Sequence, residues 1–121
     1  MRRVVVTGLG LVTPVGLTVD ESWQNLLAGQ SGAAPVTKYD PAGWAVRFAC
    51  EIKGFDPSLY IDRKEARRYD LFAQYGIAAA HQAMVQAGFD KGVPDPPRAG
   101  AIVGSGIGGI MTFQENCETF L

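Results

Sequence analysis

The sequence has one histidine and two cysteines, Cys50 and Cys117, among 121 residues. A structural zinc site takes four nitrogen or sulfur ligands, commonly with paired cysteines a few positions apart, so the candidates are too few and too scattered. No metal or other cofactor is expected. Charge of one sign is also lacking. Eleven basic residues face 12 acidic ones for a net charge of −1, so no whole-chain field draws the protein to nucleic acid or a membrane surface. An electrostatic partner would have to be met by a local patch. Long apolar runs are missing as well. The opening run Val4-Val5-Val6-Thr7 is too short for a membrane span or a signal peptide, and a cytoplasmic location is the default expectation. No internal repeat and no low-complexity segment interrupts the chain.

What is present is a soluble, globular composition, 47% hydrophobic and 19% charged, with 15 glycines. That many glycines without a collagen-like period predicts tight turns and close backbone approaches. Val4 to Thr7, unbroken by polar residues, suits a strand buried on both faces of a parallel sheet. Thr18 and Glu21 form a capping-box pattern. The helix after them carries Val19, Trp23, Leu26 and Leu27 on its apolar side and Gly29 as its stop. Residues 30–44 read as a long loop. Residues 45–52 read as a second strand, with Val46, Phe48, Cys50 and Ile52 on one face.

Asp62 with Glu65 starts a long helix expected over 63–87 and ended by Gly88. Its small residues (Gly76, Ala78, Ala79, Ala80, Ala83 and Ala87) predict close approach of neighbours on several sides. Prolines make 93–98 a loop. Residues 99–103 read as a third strand, 104–109 as a glycine loop, and 110–121 as a helix with Phe113, Cys117 and Phe120 at helical spacing. That apolar spacing still runs at Leu121 without a stop signal. Three strands with these helices cover both faces of a parallel sheet poorly. The expectation is an α/β fold that is incomplete in this chain, with no complete domain within residues 1–121.

Several segments, in order, resemble the β-ketoacyl-acyl carrier protein synthases, most closely the synthase II type. Arg2-Arg3-Val4-Val5-Val6-Thr7-Gly8-Leu9-Gly10 with Thr13-Pro14-Val15-Gly16 resembles the family's opening strand and loop. Trp23, Leu26, Leu27, Gly29, Ser31 and Gly32 are similar to its first helix and turn. Arg63-Lys64-Glu65, Arg67-Arg68, Asp70, Phe72 and Gln74-Tyr75-Gly76 match its long helix. Ile102 and Gly104-Ser105-Gly106-Ile107-Gly108-Gly109 match its third strand and glycine loop.

The resemblance implies part of a thiolase-like αβαβα layered fold, built from two similar halves, of which this chain supplies about the first third of a subunit. It implies an acyltransferase of fatty acid biosynthesis, homodimeric when intact. Such an enzyme joins an acyl chain, held as a thioester on an active-site cysteine, to malonyl-acyl carrier protein with loss of carbon dioxide. Its partners are acyl carrier protein and acyl and malonyl thioesters.

The family's nucleophile stands at a strand-to-helix turn in a Thr-Ala-Cys-like context and is helped by two histidines. Cys50, mid-strand beside Glu51, and Cys117, mid-helix near Glu115 and Glu118, have neighbours that disfavour a thiolate. Both read as buried packing residues, and His81, after three alanines, as a structural histidine. No residue of this chain is expected to be catalytic, and the chain alone is expected to be inactive.

The basic cluster Arg63, Lys64, Arg67 and Arg68 falls at i, i+1, i+4 and i+5, on one side of the expected helix. It lies in the helix's first turns, where the dipole disfavours cations, with Asp62, Glu65 and Asp70 available as offsets. From spacing alone it reads as a solvated, salt-bridged face. The resemblance instead implies a docking patch for the acidic acyl carrier protein, carried by Lys64, Arg67 and Arg68 together with Arg63.

Gly104, Gly106 and Gly109 also satisfy G-x-G-x-x-G between an expected strand and helix, the setting of a dinucleotide fingerprint. The resemblance implies another role for the loop. It would line an acyl pocket, with Ile107 as a gate whose side chain moves for longer acyl chains and Gly106 and Gly108 permitting that motion. Two alternatives to the synthase stay open: a non-catalytic module that binds acyl carrier protein, and a small dinucleotide-binding domain.

Overall fold

The structure is a computed structural model and describes residues 2–121. The chain forms two compact units. One comprises residues 11–55, the other residues 2–10 with 56–121.

In the unit of residues 11–55, helix α1 spans Val19–Leu27. Thr18 caps it by accepting from the Glu21 N–H at 3.2 Å. Glu21 returns a bond to the Leu17 N–H at 2.6 Å, one residue before the cap. Gly29 ends the helix with φ of 68°. The Gln30 N–H bonds the Asn25 carbonyl and the Gly29 N–H that of Leu26, the double C-terminal lock that a left-handed glycine allows. The expected apolar side is not the buried one. Trp23, Leu26 and Leu27 are exposed, and the residue α1 buries is Ser22, 1% exposed. Its hydroxyl donates to the Gly16 carbonyl at 3.1 Å and lies 3.0 Å from the Thr13 hydroxyl. Asn25 adds a bond to the Val15 carbonyl at 2.6 Å. A polar network therefore fastens α1 to the turn of residues 13–16.

The expected loop 30–44 contains a strand, β1 (Ala34–Pro35), and the expected strand 45–52 shortens to β2 (Phe48–Ala49). They pair antiparallel, with Ala34 opposite Ala49 and Pro35 opposite Phe48. Proline donates no N–H and so limits the ladder to an edge. Glu51 closes this region by accepting from the Thr37 hydroxyl at 2.6 Å and the Thr37 N–H at 3.2 Å.

In the other unit, the helix expected over 63–87 is two helices. α2 spans Arg63–Ala66 and α3 spans Leu71–Gln86. Asp62 caps α2, as expected, through the Lys64 N–H at 2.8 Å. The break comes at Asp70, which caps α3 through the Leu71 N–H at 2.6 Å. Gly88, with φ of 74°, ends α3 through the same paired bonds seen at Gly29, from Phe89 to Met84 and from Gly88 to Val85.

The small residues of α3 act as expected. The segment of residues 8–10 lies directly on its backbone. A β-carbon on Gly8 would strike the Ala83 carbonyl, and one on Gly10 the Ala79 carbonyl. The Leu9 N–H donates to the Gln86 side chain at 2.6 Å. Ala78 is fully buried.

The expected strands at 4–7 and 99–103 form no ladder, and among the described residues the sheet has two strands, not a parallel set. Val4 is 95% exposed and Ile102 102%. A both-faces-buried strand is a non-local structure, and its ladder needs neighbours on each side. Helix α4 spans Ile110–Phe120.

Candidate functional site

Arg63 and Lys64 lie in the single turn of α2, Arg67 is its C-cap residue, and Arg68 follows; all four side chains are exposed. The early end of α2 corrects the expected placement. Arg67 and Arg68 follow a four-residue helical turn and precede the Asp70 cap of α3, instead of lying in the first turns of one long helix.

The turn after them is braced from within. Gln74 is buried in α3, and its side-chain amide donates to the Ala66 carbonyl at 2.9 Å and to the Tyr69 carbonyl at 2.7 Å. Those carbonyls close α2 and the turn, so the placement of Arg67 and Arg68 is held by one buried polar side chain. Its amide in place of a hydrophobe at a buried helical position was the available sequence signal.

Asp70 joins this basic turn to the start of α4. Its Oδ1 caps α3, while Oδ2 accepts from the Thr112 N–H at 3.1 Å and the Thr112 hydroxyl at 3.3 Å. These bonds, the Thr112 N–H first among them, hold the Asp70 carboxyl below the usual carboxylate range. Gly109, the N-cap residue of α4, offers no side-chain bond of its own. A 190 Å³ hollow lies here, lined by Arg67, Arg68, Asp70, Gln74, Thr112 and Glu115 among others. The expectation that Asp70 merely offsets neighbouring cations is thus replaced by a specific capping role.

The glycine loop has two unlike halves. A β-carbon at Gly109 would lie 3.2 Å from Asp70 Oδ2 and 3.5 Å from the Phe72 ring, and Gly108 has φ of 80°. Around Gly104 and Gly106 there is open space, and Ile107 is 83% exposed. An apolar cavity of 310 Å³ adjoins the loop's beginning, lined by Phe72, Gly76, Ile77, Ala80, Val103 and Gly104 among others. Ile107 is not on its lining. The structure therefore brings Gly104 to this cavity and leaves Ile107, Gly106 and Gly108 off it.

The geometry does not favour a dinucleotide. A pyrophosphate would bind the free N–H groups that open α4, but the Asp70 carboxylate already occupies the Thr112 N–H. The preceding residues 99–103 also form no strand of a βαβ unit.

Cys50 is exposed, contrary to the buried-packing expectation, because the ladder of β2 stops at Ala49 and nothing covers the next position. Cys117 is half-buried in α4. His81 is exposed on α3, its ring edge-on to Tyr60 at 5.5 Å between centroids. Among the described residues no cluster of histidine, cysteine and carboxylate side chains is arranged to hold a metal ion, and no helix is long and apolar enough to cross a membrane.

Residues 1–119 match the model of the β-ketoacyl synthase N-terminal domain, so this chain belongs to the β-ketoacyl synthase family. Within it, the chain is 50% identical over 120 residues to 3-oxoacyl-[acyl-carrier-protein] synthase 2 of Vibrio cholerae, covering 99% of this chain and 29% of that protein. It is 42% identical over 120 residues to the synthase of the same name from Coxiella burnetii, again covering 99% and 29% of the two chains. In structure it is similar to the ishigamide ketosynthase/chain length factor, with a TM-score of 0.75 and 30% identity over 94% of this chain and 28% of the other. The ketosynthase fold is thus shared across nearly all of this chain, which spans under a third of the length of these relatives.

Proposed function

We propose that this chain is the amino-terminal part of a β-ketoacyl-acyl carrier protein synthase of the thiolase-like αβαβα layered fold, lying within the first of its two similar halves. The intact enzyme is a cytoplasmic homodimer. It condenses a cysteine-bound acyl chain with malonyl-acyl carrier protein in fatty acid biosynthesis. The observation that carries the reading is the exposed basic turn. Arg63, Lys64, Arg67 and Arg68 face solvent together, on a turn stiffened by Gln74. Such a patch suits an acidic carrier protein, which it would steer and orient more than bind tightly. The cavity under Gly104 supplies part of an acyl pocket wall, and Ile107 with Gly106, on the same loop but off that cavity, forms the movable part, hinged at Gly108.

The nucleophile and the histidines that decarboxylate malonate and stabilise the oxyanion are residues other than Cys50, Cys117 and His81. Cys50 sits beside Glu51, whose carboxylate is kept ionised chiefly by the Thr37 hydroxyl. Cys50 lies exposed just past the end of β2, not at a strand-to-helix turn. Purified chain of residues 1–121 therefore forms no β-ketoacyl product, and detectable product would overturn this assignment. The docking role is tested in a full-length synthase carrying this segment. Arg67→Glu with Arg68→Glu should weaken carrier-protein binding about tenfold or more, with the loss shrinking at high salt.

A second reading rests on the same basic turn: a module that recruits acyl carrier protein without chemistry. It requires residues 1–121 to unfold cooperatively on their own and to bind the carrier alone. A chain that shows no unfolding transition removes it.

A further inference from the structure

We infer that Asp70 is a positioning residue for acyl-chain selection, fixing the pivot about which the 104–109 loop moves. The inference rests on the reading of that loop as a wall of the acyl pocket.

A helix opens with N–H groups that its own turns cannot satisfy, and a residue at the N-cap normally supplies an acceptor. Gly109 has no side chain to do so. Its replacement comes from Asp70, 42 positions before Thr112, which accepts from both the N–H and the hydroxyl of that threonine. The same carboxylate accepts from Leu71 with its other oxygen. One side chain therefore ties the first turn of α4 to the first turn of α3. An ionised carboxylate is suited to this, because it presents acceptors on both oxygens.

The tie falls at one end of the glycine loop. Gly109 fits against Asp70 and the Phe72 ring, so close that a β-carbon there would need the Asp70 carboxylate to shift by a few tenths of an ångström. The Ile110 N–H bonds the Gly108 carbonyl at 3.0 Å and the Phe113 N–H bonds that of Gly109 at 2.9 Å. Gly108 and Gly109 are thereby pinned, while Gly104 and Gly106 meet nothing and Ile107 projects into solvent. A side chain that must swing for longer acyl chains needs a fixed point close by, and the boundary lies between Ile107 and Gly108. Asp70 touches neither Ile107 nor any acyl group. It acts through the backbone of Gly109 and the first turn of α4.

Asn at position 70 can still cap α3 with its one carbonyl oxygen but cannot accept from Leu71 and Thr112 with two separate oxygens. The test uses a full-length chimera in which residues 1–121 replace the matching segment of the Vibrio cholerae synthase, 50% identical to it. Asp70→Asn and Thr112→Val are compared with the parent chimera. The readouts are kcat/KM for one long-chain and one short-chain acyl thioester, carrier-protein affinity, and hydrogen exchange of the amides at 110–113.

Asp70→Asn should speed exchange there about tenfold and change the long-to-short ratio of kcat/KM about tenfold, the scale of a lost charge-assisted cap. Carrier affinity should stay within about twofold. Thr112→Val should shift the ratio the same way by less. An unchanged ratio, an equal loss at both chain lengths, unchanged exchange, or failure of both variants to fold would each overturn the inference in favour of a merely structural cap. Arg67→Glu with Arg68→Glu separates the two readings. Unaltered carrier affinity in that variant sinks the docking proposal while leaving the Asp70 result standing.

Discussion

The contact between residues 8–10 and α3 contrasts with the unladdered run at residues 99–103. In the first, glycines press on the helix backbone so closely that a methyl group has no place at either position. In the second, Ile102 stands fully in solvent and Val103 touches only the edge of the apolar cavity. Both segments are apolar in sequence and lie outside every helix and ladder. The difference teaches that a helix can carry its own order, whereas a strand of this composition acquires its order only from neighbours. α3 has Asp70 at one end and Gly88 at the other, and its bonds are satisfied within the segment. The run at 99–103 has no ladder partner among the described residues.

The sharpest way to break this contrast is Gly10→Val. It drives a β-carbon into the Ala79 carbonyl and should cost about 3 kcal/mol, as over-packing does. Urea unfolding followed by circular dichroism measures it. A smaller effect tests the helix end. Gly88→Ala forces a β-carbon into the left-handed region, where φ is 74°, and should cost about 1 kcal/mol. Gly76→Ala in the middle of α3, where a β-carbon meets nothing within 4 Å, should instead stabilise by about 0.5–1 kcal/mol. Opposite signs in the same unfolding assay would show that the two glycines serve different ends.

Acid supplies a third test. Asp70, held low first by the Thr112 N–H, and Asp56 and Glu51, held low first by the hydroxyls of Ser58 and Thr37, all have depressed carboxyl pKa values. The unfolded chain therefore takes up protons before the folded one as pH falls. The stability these groups contribute is present above about pH 4 and is lost as pH drops through their folded values. The urea midpoint should fall between pH 5 and about pH 3, with a shallower fall in Asp70→Asn. The smallest effect belongs to the exposed run. Ile102→Lys should change the stability of the 121-residue chain by less than about 0.5 kcal/mol, as at other uncovered positions. A large loss there would mean that residues 99–103 are covered after all.

Local signals in the sequence read accurately. Thr18, Glu21 and Gly29 bound α1, Asp62 opens α2, and Gly88 closes α3, because caps act through bonds a few residues long. The break at Asp70 was missed, since an aspartate before Leu71 and Phe72 carries the same signature as one on a continuous helix face. The strands failed for the opposite reason: Val4 to Thr7 and residues 99–103 have strand composition, but composition does not supply a ladder. The basic cluster of the candidate site was legible from the spacing of Arg63, Lys64, Arg67 and Arg68. The bridge from Asp70 to Thr112 was not, because nothing in 42 positions of sequence marks that pairing.

That bridge also sets an order of assembly. α1 and α3 each hold their own cap and can begin to form as soon as those residues are free of the ribosome. α4 has glycine where a cap should be and is short for a helix that must nucleate alone. The acceptor its first turn needs comes from Asp70, held at the start of α3. The last helix of the chain is thus templated by an earlier one, and its helicity reports whether that earlier part has folded.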